Sequence, residues 1–279
     1  MLNSFLFIIP LTPKSHLSPQ RLALRKLCFN TLNNQSYSNW KAIVIGELSN
    51  EEKLNEKFIK IDFEGQKEEK LQKATEYILG SDLSYDYVVR LDDDDMFNPS
   101  ILNDLKDKKF DLCVDKYHSF WDVSTGLISQ KIMYWFPNSC IQNKEHAFSI
   151  TGSFPPGDYK RFKERPFLIE NEHNDFHLYF NKDHTIIFSN KNSPIYLRSL
   201  SPDSITSLQA NNYADYLDNF GYWKKNSLSP FFFLNTIKIS SKKDNIRKKQ
   251  NFWFFLNSIK NSITANRVYN KIVINKNGT

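Results

Sequence analysis

The sequence predicts an α/β fold with a doubly wound sheet over about its first 115 residues. Strand-like apolar runs alternate there with amphipathic helical segments. One run, Tyr87-Val88-Val89, is apolar on both faces, as expected for a central parallel strand. In such folds ligands bind at the carboxyl ends of the strands, so we look for functional side chains there.

The individual elements follow from local patterns. The predicted strands are Phe5–Leu11, Trp40–Ile45, Phe58–Phe63, Tyr85–Leu91 and Phe110–Val114. A first helix is expected after the cap Ser18-Pro19. Leu71, Ala74, Thr75 and Ile78 share one face of a second helix, Gln66–Leu79, which ends at Gly80. Asn98-Pro99 is expected to cap a third helix that carries Ile101, Leu102 and Leu105.

The composition is that of a globular protein with a large core. Of 279 residues, 40% are hydrophobic and 24% charged, which excludes disordered, collagen-like and coiled-coil classes. The 23 Phe, 13 Tyr and 5 Trp can fill a core without disulfides. Cys28, Cys113 and Cys140 are widely spaced and form no CxxC motif, which favours a reducing, cytoplasmic setting.

The apolar run near the amino terminus, Phe5–Ile9, is predicted to be a buried strand and not a signal peptide. It lacks a basic flank and a small-residue cleavage site, and Pro10 interrupts it. No later run approaches the roughly 20 apolar residues of a membrane span.

Charge divides the chain into two parts. Residues 238–279 carry a net charge of +9, whereas residues 1–237 carry −3. We therefore predict a main domain over 1–237 and a basic amphipathic extension over 238–279. Apolar residues at helical spacing within 246–263, flanked by basic side chains, favour either contact with an anionic membrane surface or docking on the main domain. No nucleic-acid partner is expected.

Four adjacent carboxylates, Asp92 to Asp95, follow the fourth predicted strand. Such groups repel one another unless cations lie among them. Oxygen-only ligands favour Mg²⁺ or Mn²⁺. A solvated acidic turn is the alternative, but the buried character of the preceding strand favours a functional cluster.

The segment from Val88 to Leu102 resembles the LDxDDxxxPxxL signature of family-two-like inverting GT-A glycosyltransferases. Its Arg-Leu-Asp-x-Asp-Asp form is similar to a rhamnosyltransferase-like subgroup. Ile45–Glu51 resembles a degenerate VDDGSTD segment of the same family, and the resemblance covers about residues 5–115. It implies a GT-A fold, a Rossmann-like mixed sheet flanked by helices.

The resemblance implies a metal-dependent reaction with Mn²⁺ or Mg²⁺. A sugar would move from a UDP-, dTDP- or GDP-linked donor to a hydroxyl of a glycan or lipid-linked acceptor, with inversion, in surface-polysaccharide assembly. Asp94 is expected to contact the metal and Asp92 the metal or the ribose. Asp93 is expected to line the sugar pocket, and Asp95 to cap the following helix.

Further donor contacts are also implied by position in the family. Pro10 and Thr12 lie where the first strand meets the nucleotide, and Glu47 lies where a carboxylate recognises the base. Arg90 is expected either to pair with the aspartates or to form a salt bridge at the edge of the core.

Inversion requires a general base within hydrogen-bond reach of the acceptor hydroxyl. Asp175, slightly preferred, or Glu172 is the candidate, since Glu170–His177 lies where the family usually places an acidic motif. A solvated polar turn is the alternative. His173 and His177 lack HExxH spacing, which disfavours a transition-metal site.

The family often adds a histidine metal ligand late in the domain, and Tyr196–Ser204 resembles that neighbourhood without a histidine. Asp203 is expected to replace it, unless the metal has fewer protein ligands. Arg198 is expected to hold the diphosphate. Trp121 and Trp135 are predicted to contact the acceptor sugar, although core packing is the common role of such aromatic residues.

Two other functions are compatible with the acidic cluster. One is a metal-dependent nucleotidyl or phosphoryl transferase. The other is a non-catalytic, membrane-associated module that binds nucleotide-sugars.

Overall fold

The structure is a computed structural model that describes residues 2–49, 52–133, 137, 139–149, 168, 180, 183–204 and 212–237. Within these residues the chain forms two mixed β-sheets flanked by helices, so the predicted α/β class is confirmed. The basic extension over 238–279 lies outside the described residues, and the domain boundary at residue 237 stays a prediction.

The described strands are β1 Phe5–Pro10, β2 Trp40–Ile45, β3 Phe58–Ile61, β4 Tyr87–Arg90, β5 Met96–Phe97, β6 Leu112–Val114, β7 Tyr117–Asp122, β8 Ile128–Ile132, β9 Ile141–Asn143, β10 Ile186–Phe188, β11 Tyr196–Leu200 and β12 Trp223–Lys224. The α-helices are α1 Pro19–Asn33, α2 Lys67–Leu79, α3 Ile101–Leu105, α4 Lys144–Ala147 and α5 Tyr213–Asp218. Short 3₁₀ segments span Lys14–His16 and Ser229–Thr236.

The larger sheet has the order β10-β6-β9-β4-β1-β2-β3. β1 pairs in parallel with both β2 and β4, so that Phe7 lies opposite Ala42 on one side and Val89 on the other. The chain builds outward from β1 to β3 and then crosses back through α2 to β4, on the opposite side of β1. The point between β1 and β4 is therefore the topological switch point, where such sheets bind ligands.

Helices cover both faces of this sheet. Phe7 and Ile9 of β1 belong to the same apolar cluster as Cys28 of α1. Ile8, on the other face, packs in a second cluster with Leu71 of α2. Alternating side chains of one strand thus meet different helices, which confirms the doubly wound arrangement.

The predicted start of α1 and both predicted ends of α2 are confirmed. Ser18 caps α1, where its hydroxyl accepts a hydrogen bond from the Arg21 amide at 3.2 Å. Gln66 and Glu69 form a reciprocal capping box on α2, and Gly80 ends that helix.

The predicted cap of the third helix is wrong. Ser100, not Asn98, occupies the cap position of α3, and the Asn98 side chain accepts hydrogen bonds from the amide and hydroxyl of Ser100, both at 2.9 Å. Asn98 is fully buried and also donates to the carbonyl of Pro194 at 2.8 Å. The Asn98 side chain therefore links the cap residue of α3 to the segment before β11.

Strands β3, β4 and β6 are shorter than the apolar runs that predicted them. β4 begins at Tyr87 because the neighbouring strand β1 begins at Phe5, its partner in the register. A hydrophobic run shows which residues are buried, whereas the neighbouring strand sets where the hydrogen-bonded ladder starts.

The smaller sheet has the order β12-β8-β7-β11-β5. β11 pairs in parallel with β7 and antiparallel with β5, so that Leu197 lies opposite Met96. Since β5 directly follows the four aspartates, this pairing places Arg198 and Ser199 beside them. Among the described residues no helix has both the length and the apolarity needed to cross a membrane.

Asp115 is a fully buried carboxylate that fixes the approach to β11. It accepts hydrogen bonds from the hydroxyl of Ser189 and from the amides of Ile195 and Tyr196, the two amides at 2.8 and 3.3 Å. Burial raises the pKa of Asp115 to about 7, and the three hydrogen bonds only partly oppose this rise.

We expect Asp115 to make stability depend on pH. Its pKa is 3.8 in the unfolded reference and about 7 in the folded protein, so the folded state binds the proton more tightly between these values. The stability that Asp115 contributes is complete below the lower value and is lost as pH rises through the higher one. In urea unfolding, wild type should lose up to about 1.4 kcal/mol per pH unit relative to Asp115→Asn in this window. A difference that stays constant or grows with pH would contradict this.

Candidate active site

The candidate site is a cavity of about 390 Å³ at the carboxyl ends of β1 and β4. Its wall includes Pro10 and Thr12 at the end of β1, the four aspartates after β4, and Arg198 on β11. It therefore coincides with the switch point of the larger sheet. Within the cavity wall, each aspartate has a different principal partner.

Asp93 joins the loops that follow β1 and β4. Its carboxylate accepts hydrogen bonds from the amide and hydroxyl of Thr12 at 2.8 and 2.7 Å, and from Nε of Arg25 at 2.8 Å. The Asp93 side chain is only 5% exposed. Although Asp93 lies in the cavity wall, both its oxygens are used to hold the protein together.

Arg25 extends these contacts to the loop after β2. Its side chain is fully buried and contacts Glu52 at 3.4 Å and the carbonyl of Thr12 at 3.1 Å. Glu52 in turn accepts a hydrogen bond from the Ser49 amide at 2.7 Å. One guanidinium thus links all three loops that follow the central strands.

The loops after β1 and β2 also meet at Gly46. Its φ is +131°, and an added Cβ would lie 2.9 Å from Cβ of Leu11. A larger residue would separate the two loops, because both the backbone conformation and the space require glycine.

Asp94 pairs with Arg21 of α1, with Oδ2 at 3.1 Å from Nη1. Burial is the main cause that raises the pKa of Asp94; Arg21 opposes the rise, and repulsion from Asp93 and Asp92 adds to it. Its other oxygen, Oδ1, forms no ion pair or hydrogen bond within the described residues. Asp94 is therefore a carboxylate with an available oxygen facing like charges.

Asp95 does not cap α3, which corrects the sequence expectation. Its Oδ1 accepts a hydrogen bond from the Ser199 amide at 2.9 Å, because β11 lies beside the end of the aspartate run. Burial, together with repulsion from Asp94 and Asp92, raises the pKa of Asp95 well above its usual range. Asp95 therefore attaches β11 to the site.

Asp92 contacts Lys67, the first residue of α2. The Lys67 ammonium lies 2.6 Å from Oδ1 and 2.7 Å from Oδ2. Burial opposes ionisation of Asp92, but the charges of Lys67 and Arg90 outweigh it and hold its pKa below the usual value. Asp92 is thus ionised at neutral pH.

Arg198 lies in the cavity wall and forms no ion pair within 4.0 Å among the residues that the structure covers. Burial lowers the pKa of Arg198, but the nearby Asp95 and Tyr196 raise it by a larger amount. The side chain therefore stays charged. A guanidinium in this position can bind phosphate oxygens in a bidentate manner.

Three residues that were expected to bind the donor or the metal are not in the cavity wall. Glu47 is half exposed and pairs with Lys14 at 3.6 Å. Arg90 is buried and donates to the carbonyl of Leu168 at 3.4 Å, and it has no ion pair in the described part of the chain. Its charge nevertheless acts on Asp92. Asp203 is exposed, in a turn held by Ser201.

The predicted acceptor contact by Trp121 is wrong. Trp121 is 1% exposed and packs with Met96, Leu197 and Phe231 in the core. It points there because β7 presents alternate residues to that face. Trp135, Glu172 and Asp175 lie outside the described residues.

Sequence reasoning missed Arg21, Arg25 and Lys67. Arg21 and Arg25 are spaced i, i+4 on α1 next to the apolar positions Leu24 and Cys28. Arginines bordering a buried stripe, on a helix that starts beside the end of β1, indicate that carboxylates lie opposite. That signal was available in the sequence. Lys67 had no comparable pattern.

The residues present are suited to a hard divalent cation. Asp92 and Asp94 both lie in the cavity wall and supply the oxygen ligands that Mg²⁺ and Mn²⁺ prefer. In the part of the chain that the structure covers, no group of three His, Cys, Asp or Glu side chains could hold a metal ion. The expected set of Asp92, Asp94 and Asp203 is therefore not assembled. Two carboxylates with phosphate oxygens remain a suitable set for Mg²⁺ or Mn²⁺.

No family model and no curated protein matches the chain. Similar solved structures include three of S. aureus TarS. The first is 15% identical with a TM-score of 0.44, and the match covers 96% of this chain and 50% of that one. A structure of TarS 1–349 and its complex with UDP-GlcNAc are each 13% identical with TM-scores of 0.42, cover 96% of this chain and match 83% and 84% of those chains.

The chain spans half the length of the first of these structures. At such TM-scores and identities the likeness assigns neither a function nor a subgroup. The rhamnosyltransferase-like subgroup therefore stays a prediction.

We expect Arg25→Met to destabilise the protein by about 3–5 kcal/mol, because it removes the buried cation that Asp93 and Glu52 share and leaves Asp93 only the longer contact with Arg21 at 3.8 Å. Urea unfolding measures this. Lys73→Met is the matched control, since Lys73 pairs with Glu76 on the exposed face of α2. Its effect should stay below about 1 kcal/mol. Equal effects of the two substitutions would show that the Arg25 contacts are not important for stability.

Proposed function

We propose that the protein is a metal-dependent inverting glycosyltransferase that moves a sugar from a nucleotide-diphosphate donor to a hydroxyl acceptor. One observation carries the proposal: Asp92 and Asp94 lie with Arg21, Lys67 and Arg198 around one cavity at the switch point of the sheet. Binding of a metal diphosphate requires carboxylates that hold the metal ion and basic side chains that hold the phosphate oxygens. The LDxDDxxxPxxL resemblance supports the same reaction.

The chain's own residues have separate tasks in this proposal. Arg198 and Lys67 bind diphosphate oxygens, and Asp94 with Asp92 holds the divalent cation. When bound, Mn²⁺ or Mg²⁺ supplies positive charge that stabilises the leaving diphosphate. Thr12 fixes the loop after β1 against Asp93, so the nucleotide meets a rigid wall.

The acceptor side of the reaction needs a base. We assign the removal of the acceptor hydroxyl proton to Asp175 or Glu172, from their position relative to the family motif. The acceptor is proposed to be a glycan or lipid-linked sugar, and the hexosyl class of the donor belongs to the same proposal.

The nucleotide requirement provides the first test. Thermal unfolding is measured with UDP, GDP, dTDP and CMP, each with and without Mn²⁺, for wild type and Asp94→Ala. At about 100 times its dissociation constant, a bound nucleotide should add about 2.7 kcal/mol of stability. We expect one nucleoside diphosphate to stabilise the wild type only with Mn²⁺, and Asp94→Ala to lose this effect. No stabilisation by any nucleotide would overturn the proposal.

The assignment of the base provides a second test. Asp175→Asn or Glu172→Gln should lower kcat by about 10² to 10⁴ while donor binding persists, because the base acts only on the acceptor proton. The other substitution serves as the control. Sugar transfer is followed with the donor that the stabilisation assay identifies. If neither substitution lowers kcat, the base is a different residue.

A further inference from the structure

We propose that Lys67 is an exchangeable counter-ion: it holds Asp92 while the site is empty and moves to the donor diphosphate when a divalent cation takes its place. This inference rests on the proposed function. In this proposal Lys67 has opposite effects on two ligands: it weakens the binding of the divalent cation and strengthens the binding of the diphosphate.

The contact geometry supports competition at Asp92. One ammonium group lies 2.6 and 2.7 Å from the two Asp92 oxygens, so it covers both atoms that a cation would use. A metal ion at 2.0–2.1 Å from a carboxylate oxygen cannot share that place with an ammonium group. Lys67 must therefore leave before Asp92 can bind the cation.

The exposure of the pair makes the exchange feasible. The Lys67 and Asp92 side chains are 38% and 36% exposed, in contrast to the buried Arg25 and Asp93 pair at 0% and 5%. Partly exposed ion pairs contribute about 1 kcal/mol or less, so breaking this one costs little. The buried pair keeps the loop in place while Lys67 moves.

Lys67 also lies where its ammonium group can reach a diphosphate bound in the cavity. Lys67 is the first residue of α2 and lies in the wall of the same cavity as Arg198. A flexible four-carbon side chain with a compact charge can shift between neighbouring anions. Released from Asp92, the ammonium joins Arg198 in binding phosphate oxygens.

The decisive experiment measures two ligands on Lys67→Met. Mn²⁺ alone, followed by electron paramagnetic resonance without any nucleotide, should bind the variant about three to five times more tightly than wild type. Inorganic pyrophosphate, titrated calorimetrically at saturating Mn²⁺, should bind the variant about ten times more weakly. Lys67→Arg keeps the charge and should stay close to wild type in both assays.

Lys60→Met is the matched control. Lys60 pairs with Asp62 at 2.7 Å outside the cavity wall, and its replacement removes the same charge. A similar gain in Mn²⁺ affinity for Lys60→Met would show a general charge effect and overturn the proposal. The proposal is also overturned if Lys67→Met leaves either the Mn²⁺ affinity or the pyrophosphate affinity unchanged. The Mn²⁺ measurement needs no nucleotide, so failure of the proposed function in the nucleotide panel is distinguishable from failure here.

Discussion

The contact between Arg25 and Asp93 is the interaction on which the rest of the site depends. Three chain segments end at the same edge of the sheet, and each leaves polar backbone groups there. Arg25 and Asp93 connect all three through Thr12, Glu52 and each other, in a place where water has little access. The positions of the remaining carboxylates follow from this fixed centre.

A second feature of the site is that its carboxylates are held by different groups. Asp93 is enclosed and Asp95 is hydrogen-bonded to the backbone of β11, whereas Asp94 and Asp92 pair with the side chains of Arg21 and Lys67. The acidic run thus contains two structural and two available carboxylates. The run forms a turn that is closed by a hydrogen bond from the Asp95 amide to the Asp92 carbonyl at 3.1 Å, and the four side chains leave this turn towards different partners.

Much of the fold could be predicted because local patterns determine it. The bounds of β2 and of α2 follow from apolar periodicity and capping residues, and the aspartates were found because they are adjacent to one another after a buried strand. The basic side chains that pair with these aspartates could not be found from local patterns. Lys67 is 25 residues from Asp92 and Arg25 is 68 residues from Asp93, so only the sheet order brings them together.

Two other differences between the sequence predictions and the structure have a physical origin. Trp121 was expected at the acceptor because aromatic residues serve both sugar binding and core packing, and composition does not distinguish the two roles. Asp115 was not singled out because a lone buried carboxylate has no sequence pattern. Its partners Ser189, Ile195 and Tyr196 are at least 74 residues away, and their amides and hydroxyl reach it only in the folded chain.

The pairing of β11 between β5 and β7 has a consequence for sequence change. Alternate residues of a strand point to opposite faces, so a one-residue insertion or deletion between β10 and β11 that shifted the register would exchange the positions of neighbouring side chains. Leu197, now in the core, would then face the cavity, and the charge of Arg198 would be buried among apolar residues. The length of this connection is therefore as restricted as the identity of the arginine, even though the loop itself lies outside the cavity.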